Sequence, residues 1–365
     1  MKSAFSSTAQ VVGFALLLGG VLALPGVMAS TGLISRQDVY PAIAWKYGPF
    51  PWIQQKIFAE HGDVDIAFLG SSQIWCAIDT PYVKRKLSEE LGREAEVFTL
   101  GWPWPGFDAL YVIARDLLDH RRVHTIVIYD EARGEDAPHL HSSRWFLIGE
   151  NSEALRGLSP LEQAQLYGGA VLGMPRHLLS LLRADRTEDP AHCQTNFWNT
   201  YYCAPHVAQR LGALRARLGY GVSPDFEPFE AHTAATPADV VAYGPGTQNE
   251  FKFSGPATRP YQLHFARKLA ALCRERGTKL IVLHTPSFHE NGQTTIPERE
   301  IWPDVLGTPV DIVGIAPSKL FSGMSAEEVA KLFYEDGHLN QNGQDMFTPL
   351  VTPALVKLHD STASH

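Results

Sequence analysis

The sequence predicts an α/β protein that is built on a doubly wound parallel β-sheet and preceded by an apolar N-terminal helix. Two observations predict this fold. Short apolar runs that stop at turn residues alternate along the chain with segments of helical periodicity. An uncharged apolar segment near the N-terminus precedes the first of these runs. Strands that alternate with helices form parallel sheets, because each helix carries the chain back to the starting edge.

The composition indicates a folded protein and excludes several classes of function. Of the 365 residues, 45% are hydrophobic and 19% are charged, which suits a sizeable core and not a disordered chain. The net charge is −8 and no Lys or Arg run stands out, so we expect no nucleic-acid partner. No nucleotide-binding glycine motif is present, and the His-Leu-His sequence at residues 139–141 lacks a third placed ligand. We therefore expect neither a cofactor nor a metal.

The first thirty residues predict a membrane or export segment. Residues 11–28 are apolar and uncharged, and Lys2 is the only cation before Arg36. This length is at the lower limit for crossing a bilayer, and the charge placement favours a periplasmic or otherwise extracytoplasmic body. Residues 1–30 are thus a signal anchor in the inner membrane, or a signal peptide that is cleaved near Ala29. A buried core helix is the remaining alternative.

The strands and helices follow in order. Five apolar runs predict the strands, at residues 64–69, 95–100, 124–129, 279–284 and 309–313. The intervening periodic segments predict helices at residues 82–91, 107–118, 261–276, 325–333 and 343–358. Gly277 is typical of a helix C-terminus, and Ser325 with Glu328 forms a capping-box pattern.

A long insertion interrupts this alternation and divides the α/β domain into residues 31–133 and 257–365. The insertion, residues 134–256, begins with an amphipathic helix at 152–183 that Gly168, Gly169 and Pro175 are expected to break. Its last part, 223–256, has the composition of a loop. We expect a cap or a partner surface, the alternative being a surface excursion without a function.

The four cysteines fall into two groups. Cys193 and Cys203 flank a short segment that an exported protein could close as a disulfide-bonded loop. Cys76 and Cys273 lie in apolar segments, and we expect them to be buried thiols.

Two glycine-containing junctions follow the first two predicted strands. Ligands of parallel sheets bind at the carboxyl ends of the strands, and Ser72 in Gly70-Ser71-Ser72 stands at such an end. Ser72 is a candidate nucleophile whose own N–H could hold an oxyanion, and the N–H of Gly101 is a second candidate donor. Trp102 and Trp104 follow in a Pro-stiffened loop and could form a platform for a sugar ring. The alternative is that both junctions are ordinary turns.

A third segment, residues 333–343, carries the candidate base. A serine hydroxyl needs a base to take its proton, and histidine is the side chain best suited to that role near neutral pH. His338 is the candidate base in this segment. A carboxylate orients such a histidine, and Glu335 or Asp336 could do so. Which of the two acts stays open.

Together these three segments resemble the SGNH, or GDSL-like, hydrolase superfamily. Its serine lies in a Gly-Asp-Ser motif after the first strand, a glycine follows the second strand, and a C-terminal Asp-x-x-His supplies acid and base. Here Ser71 replaces the Asp of the first motif, Thr99-Leu100-Gly101 resembles the second, and Glu335 replaces the Asp of the last. The resemblance covers residues 63–358 outside the insertion. It implies a three-layer α/β/α, flavodoxin-like sheet and serine-based ester chemistry.

One motif departs from that superfamily. Its third block has an Asn after the third strand that completes the oxyanion hole, whereas this chain has Tyr129-Asp130-Glu131-Ala132-Arg133. The loss of one such donor can cost about a hundredfold in rate, and Arg133 is a candidate substitute by its charge. In this departure, and in its N-terminal segment and insertion, the chain resembles the polysaccharide O-acetyltransferase branch of the superfamily. Members of that branch are similar to the alginate O-acetylation proteins. Those proteins are exported and act beside a membrane-bound acyltransferase.

The resemblance implies an exported serine acyl-ester enzyme, an O-acetyl esterase or O-acetyltransferase that acts on an envelope or secreted polysaccharide. The expected partners are a polysaccharide or other acylated carbohydrate, the membrane through the N-terminal helix, and a membrane-bound acyltransferase. Two alternatives remain open. The missing Asn favours a non-catalytic glycan-binding or scaffold subunit of an acetylation or secretion complex. A metal-dependent phosphoesterase on a similar sheet would require activity that a chelator abolishes.

Overall fold

A computed structural model describes residues 5–32, 35–40, 50–101, 106–129, 138, 142–146, 149, 154–182, 229–243, 260–290, 302–335 and 337–363. The strands are β1 (Val64–Gly70), β2 (Val97–Gly101), β3 (Val123–Tyr129), β4 (Val241–Tyr243), β5 (Lys279–Leu283), β6 (Asp311–Gly314), β7 (Phe333–Glu335) and β8 (His338–Leu339). The helices are α1 (Thr8–Thr31), α2 (Phe50–Gln54), α3 (Ser72–Ala77), α4 (Thr80–Leu91), α5 (Phe107–His120), α6 (Ser142–Phe146), α7 (Pro160–Leu182), α8 (Pro260–Glu275), α9 (Trp302–Leu306), α10 (Pro317–Leu320), α11 (Ala326–Ala330) and α12 (Gln341–Ala363).

Six of the strands form one sheet in the order β2-β1-β3-β5-β6-β4. The first five of these strands pair in parallel, and β4 pairs antiparallel with β6 at the edge. The predicted α/β fold with a parallel sheet is therefore confirmed. The prediction of an unbroken loop at 223–256 is wrong, because β4 lies within it. Three residues in a Pro- and Gly-rich stretch carry no periodicity, so only pairing with β6 makes them a strand.

Helices cover both faces of the sheet. Successive side chains of a strand point to opposite faces, and β1 is buried along its whole length. Ile66 and Phe68 belong to one apolar cluster, and Ala67 and Leu69 belong to the other. The first cluster includes α4 and α12 side chains such as Leu87, Phe347 and Val351, and the second includes α5 and α8 side chains such as Val112, Leu117, Phe265 and Leu269. The strands therefore lie between two helical layers.

Local signals account for several helix ends. The Asp79 side chain accepts a hydrogen bond from the Tyr82 N–H at 3.2 Å and begins α4. Gly277 follows α8 with a φ of +66°, a conformation that glycine adopts without strain. The capping box of Ser325 and Glu328 begins α11 as predicted, but this helix ends at Ala330, and Phe333 belongs to β7.

The N-terminal helix α1 is 24 residues long, which corresponds to about 36 Å. It is long and apolar enough to cross a membrane, and only 11% of its most apolar window is buried. That exposure does not fit a buried core helix. It is compatible with a signal anchor and with a signal sequence.

Helix α7 is continuous where a break was expected. It passes through Gly168, Gly169 and Pro175 and ends at Leu182. Glycine costs a helix about 1 kcal/mol relative to alanine, and proline removes one backbone hydrogen bond. The buried side chains that α7 packs against the body, Leu166, Ala170 and Met174, offset this cost.

The cysteine predictions divide between described and undescribed residues. Cys76 and Cys273 are buried thiols, which confirms the expectation for them. Burial raises the pKa of the Cys273 thiol to about 12, so it stays protonated and unreactive. Cys193 and Cys203 lie outside the described residues, and their disulfide stays a prediction.

Candidate active site

Ser72 lies at the carboxyl end of β1, where the strand passes directly into α3. The Ser71 side chain accepts a hydrogen bond from the Gln73 N–H at 3.2 Å, which caps α3 and fixes the start of the helix. β1 lies between β2 and β3, so the order of strands reverses across the sheet at this point. Such switch points are where open parallel sheets bind ligands.

Glycines line the approach to Ser72 because larger residues do not fit. Gly70 and Gly101 are paired in the register of β1 and β2. A Cβ on Gly70 would lie 2.7 Å from Tyr129 Cδ1, and one on Gly101 would lie 2.0 Å from Trp75 Nε1 and 2.9 Å from the Ser71 carbonyl oxygen. Gly101 is thus beside the serine segment, as expected. Its role as an oxyanion donor stays a prediction.

His338 reaches the site from a hairpin formed by β7 and β8. The Asn340 N–H donates to the Leu332 carbonyl at 2.8 Å, and its side-chain amide donates to the Lys331 carbonyl at 2.7 Å. Its side-chain oxygen accepts from the Gly343 N–H at 3.2 Å, where α12 begins. Asn340 therefore ties the strand that carries His338 to both neighbouring segments.

The structure brings the two central candidates together. Ser72 Oγ and His338 Nε2 are 2.7 Å apart, although 266 positions separate them in the chain. The expected hydrogen-bond contact is confirmed. When Nε2 accepts the hydrogen bond from the serine hydroxyl, the neutral ring carries its own proton on Nδ1, which is a buried atom. This tautomer is the one that a serine nucleophile needs.

Most of the other predicted site residues lie outside the described residues. Asp336 and Arg133 lie outside the described residues, as do Trp102 and Trp104. Only the backbone of Glu335 is described, in β7. The triad acid, the substitute oxyanion donor and the sugar platform therefore stay predictions. Among the described residues, no group of three or more potential ligands could hold a metal ion.

Sequence reasoning missed the residues that support the site. Gln73 is buried beside the hairpin turn, since a Cβ on Gly337 would lie 2.2 Å from its Nε2. The Gln344 amide donates to the Trp75 carbonyl at 3.0 Å and ties α12 to α3. No local pattern marks either glutamine, because their partners are distant in the sequence.

The sequence also did not predict the contact that a buried histidine makes at the end of β5. His284 Nε2 lies 3.3 Å from Glu290 Oε2, and that oxygen accepts from the Ser287 N–H at 2.9 Å. The Phe288 ring in this segment packs edge-on against Phe333 of β7, with centroids 6.1 Å apart. The segment after β5 thereby supports the hairpin that carries His338.

Comparisons with known proteins found no match for this chain among family models, curated proteins or solved structures. The resemblance to SGNH hydrolases therefore rests on the motifs at Ser72, Gly101 and His338 alone.

Proposed function

We propose that this protein is an exported serine acyl-ester enzyme of the SGNH type, which removes or transfers O-acetyl groups on an envelope or secreted polysaccharide. The observation that carries the proposal is the 2.7 Å contact between Ser72 Oγ and His338 Nε2 at the carboxyl edge of the sheet. A serine in contact with a histidine base is the arrangement that activates a hydroxyl for attack on a carbonyl. The exposed apolar α1 supports export.

The geometry supports a two-step reaction. Ser72 Oγ attacks the ester carbonyl carbon while His338 Nε2 takes the hydroxyl proton, and the carbonyl oxygen becomes an oxyanion. The N–H groups of Ser72 and Gly101 are the proposed donors to it. The intermediate collapses, His338 gives its proton to the leaving alcohol, and an acyl-Ser72 remains.

The second step decides between esterase and transferase. His338 takes a proton from water or from a sugar hydroxyl, whose oxygen attacks the acyl-serine carbonyl. The Ser72 oxygen then leaves and recovers the proton from His338. Glu335 or Asp336 is the proposed carboxylate that stabilises the imidazolium during both steps.

The full chain tests this proposal with an activated acetyl ester such as p-nitrophenyl acetate. We expect Ser72→Ala and His338→Ala each to lower kcat/KM by a factor of about 10³ or more, and the double variant to fall little further, because the two groups act as one unit. A serine-directed phosphonate should label the wild type, and peptide mapping should place the adduct on Ser72. Ser322→Ala, at an exposed turn position, is the matched control and should still be labelled. Unchanged ester cleavage by Ser72→Ala, with an active wild type, would refute the proposal.

The absent Asn after β3 favours a second candidate, a non-catalytic glycan-binding or scaffold subunit. It predicts that the protein is inert toward the phosphonate and the acetyl reporter but binds an envelope polysaccharide. The same experiment therefore separates the two functions.

A further inference from the structure

Two helices carry the exposed large apolar side chains of the described residues. Most of these side chains lie on α1, and the others are Leu161 and Leu172 of α7. Leu172 is 78% exposed and Leu161 is 68% exposed. Ala164 is exposed and Gly168 is partly exposed at intermediate turns of the same face. This spacing forms an apolar stripe along one side of α7, with the exposed Gln165 at its border.

Helix α7 packs on α1 near the middle of the apolar segment. The Tyr167 hydroxyl donates a hydrogen bond to the Leu22 carbonyl oxygen. A Cβ on Gly26 would lie 3.8 Å from the same hydroxyl oxygen. Leu22 precedes the end of α1 at Thr31 by about 14 Å along the helix axis. In a bilayer with a hydrocarbon core of about 30 Å, this contact lies within one leaflet.

A groove of about 520 Å³ lies beside the contact between α1 and α7. Apolar groups of α1, α6, α7 and the turn Ala154–Gly157 dominate its lining, among them Leu22, Phe146, Leu155, Val171 and Leu172. The Phe146 ring stacks edge-on against Tyr167, with centroids 5.4 Å apart. Leu22 belongs to the exposed apolar surface of α1 and also lines this groove. A molecule that covers this surface of α1 therefore also contacts α7.

We propose that α7 lies in the outer leaflet of the membrane that α1 crosses, and that phospholipid acyl chains cover its stripe and fill the groove. A helix suits this environment because it satisfies its own backbone hydrogen bonds, and the Tyr167 hydroxyl has the Leu22 carbonyl as its acceptor. The inference rests on the proposed placement of α1 in a bilayer and not on the ester chemistry. It also requires residues 1–30 to remain in the mature protein, since cleavage near Ala29 would remove the helix on which α7 packs.

Photolabelling of the full chain tests this inference. The protein is reconstituted in vesicles of phosphatidylethanolamine and phosphatidylglycerol that contain a phospholipid with a diazirine in its acyl chain. After irradiation, peptide mapping should find lipid adducts on α1 and on residues 161–174 of α7. Leu172→Glu should lower the labelling of α7 several-fold and leave that of α1 unchanged. Ala326→Glu adds the same charge at an exposed position of α11 and should change neither.

Each contrary outcome has its own meaning. Adducts on α1 without adducts on α7 would overturn the inference and leave the anchor in place. The absence of adducts from both helices would refute the membrane placement itself. Crosslinks from α7 to a second copy of the chain would show that protein, and not lipid, covers the stripe. An intact mass that lacks residues 1–30 would also overturn the inference, whereas the ester assay reads the site at Ser72 independently.

Discussion

Ser72 lies among small neighbours that leave no room for larger side chains. Ser72 begins a helix that Ser71 caps, and the flanking Gly70 has no room for a Cβ beside Tyr129. Gly101 is confined in the same way by Trp75. The glycines at this edge are therefore explained by close packing as well as by the proposed oxyanion role.

Gly101→Ala tests this packing. The added methyl would lie 2.0 Å from Nε1 of Trp75, which is 5% exposed and enclosed by other side chains. We expect the free energy of unfolding to fall by about 1–3 kcal/mol, measured by urea denaturation. Gly168→Ala is the matched control, because no neighbouring heavy atom lies within 4 Å of its Cβ position. In that helix, alanine should leave the stability unchanged or raise it by up to about 1 kcal/mol. A Gly101→Ala protein as stable as the wild type would contradict the steric account.

At the scale of the elements, the hairpin of β7 and β8 determines where His338 lies. Helix periodicity was expected to continue to residue 333, but α11 ends at Ala330 and Phe333 begins β7. Asn340 holds the hairpin in place: it donates to the carbonyls of Lys331 and Leu332 and accepts from the Gly343 N–H. The apolar pattern does not reveal this local network. By contrast, the five parallel strands were predicted to within two residues at every end, because buried apolar runs have clear limits.

Asn340→Ala measures what this network contributes. Asn340 is 7% exposed, and truncation of its side chain would remove one donor from the Lys331 carbonyl and the side-chain acceptor of the Gly343 N–H. We expect the unfolding free energy to fall by about 1–3 kcal/mol and kcat/KM for the acetyl reporter to decline, because His338 loses its support. Gln341→Ala, at the more accessible neighbouring position, should change the stability by no more than about 0.5 kcal/mol. Equal effects of the two variants would argue against a special role for Asn340.

At the scale of the whole molecule, a partly buried ionic contact ties the segment after α1 to the body. Arg36 forms an ion pair with Asp116 of α5, and the Tyr40 hydroxyl donates to Asp116 Oδ2 at 2.6 Å. Burial raises the pKa of the Asp116 carboxyl to about 6, and the Arg36 charge and the Tyr40 hydroxyl offset that burial only in part. The chain that leaves the apolar helix is thereby docked on the α/β domain.

This contact predicts a dependence of stability on pH. In the unfolded chain the Asp116 carboxyl has a pKa near 3.9, so the folded state binds its proton more tightly. The resulting stabilisation is fully present below about pH 4 and is lost as the pH rises through about 6. Urea denaturation of the wild type and of Asp116→Asn between pH 4 and 7 should show the wild type losing about 2–3 kcal/mol relative to the variant. A difference that stays constant over this range would refute the assignment.

The sequence by itself determined the parallel α/β sheet and the apolar N-terminal helix, and it pointed to the two central residues of the candidate site. Strand runs, helix caps and the serine after β1 follow from preferences that act over a few residues. Only the tertiary structure decided that Ser72 and His338 touch, that β4 pairs with β6 and that α7 packs on α1. These contacts join segments that are far apart in the chain, and their stability comes from packing and hydrogen bonds between elements. A local sequence pattern does not predict such an interaction, because it depends on two segments at once and neither segment alone has a distinctive pattern.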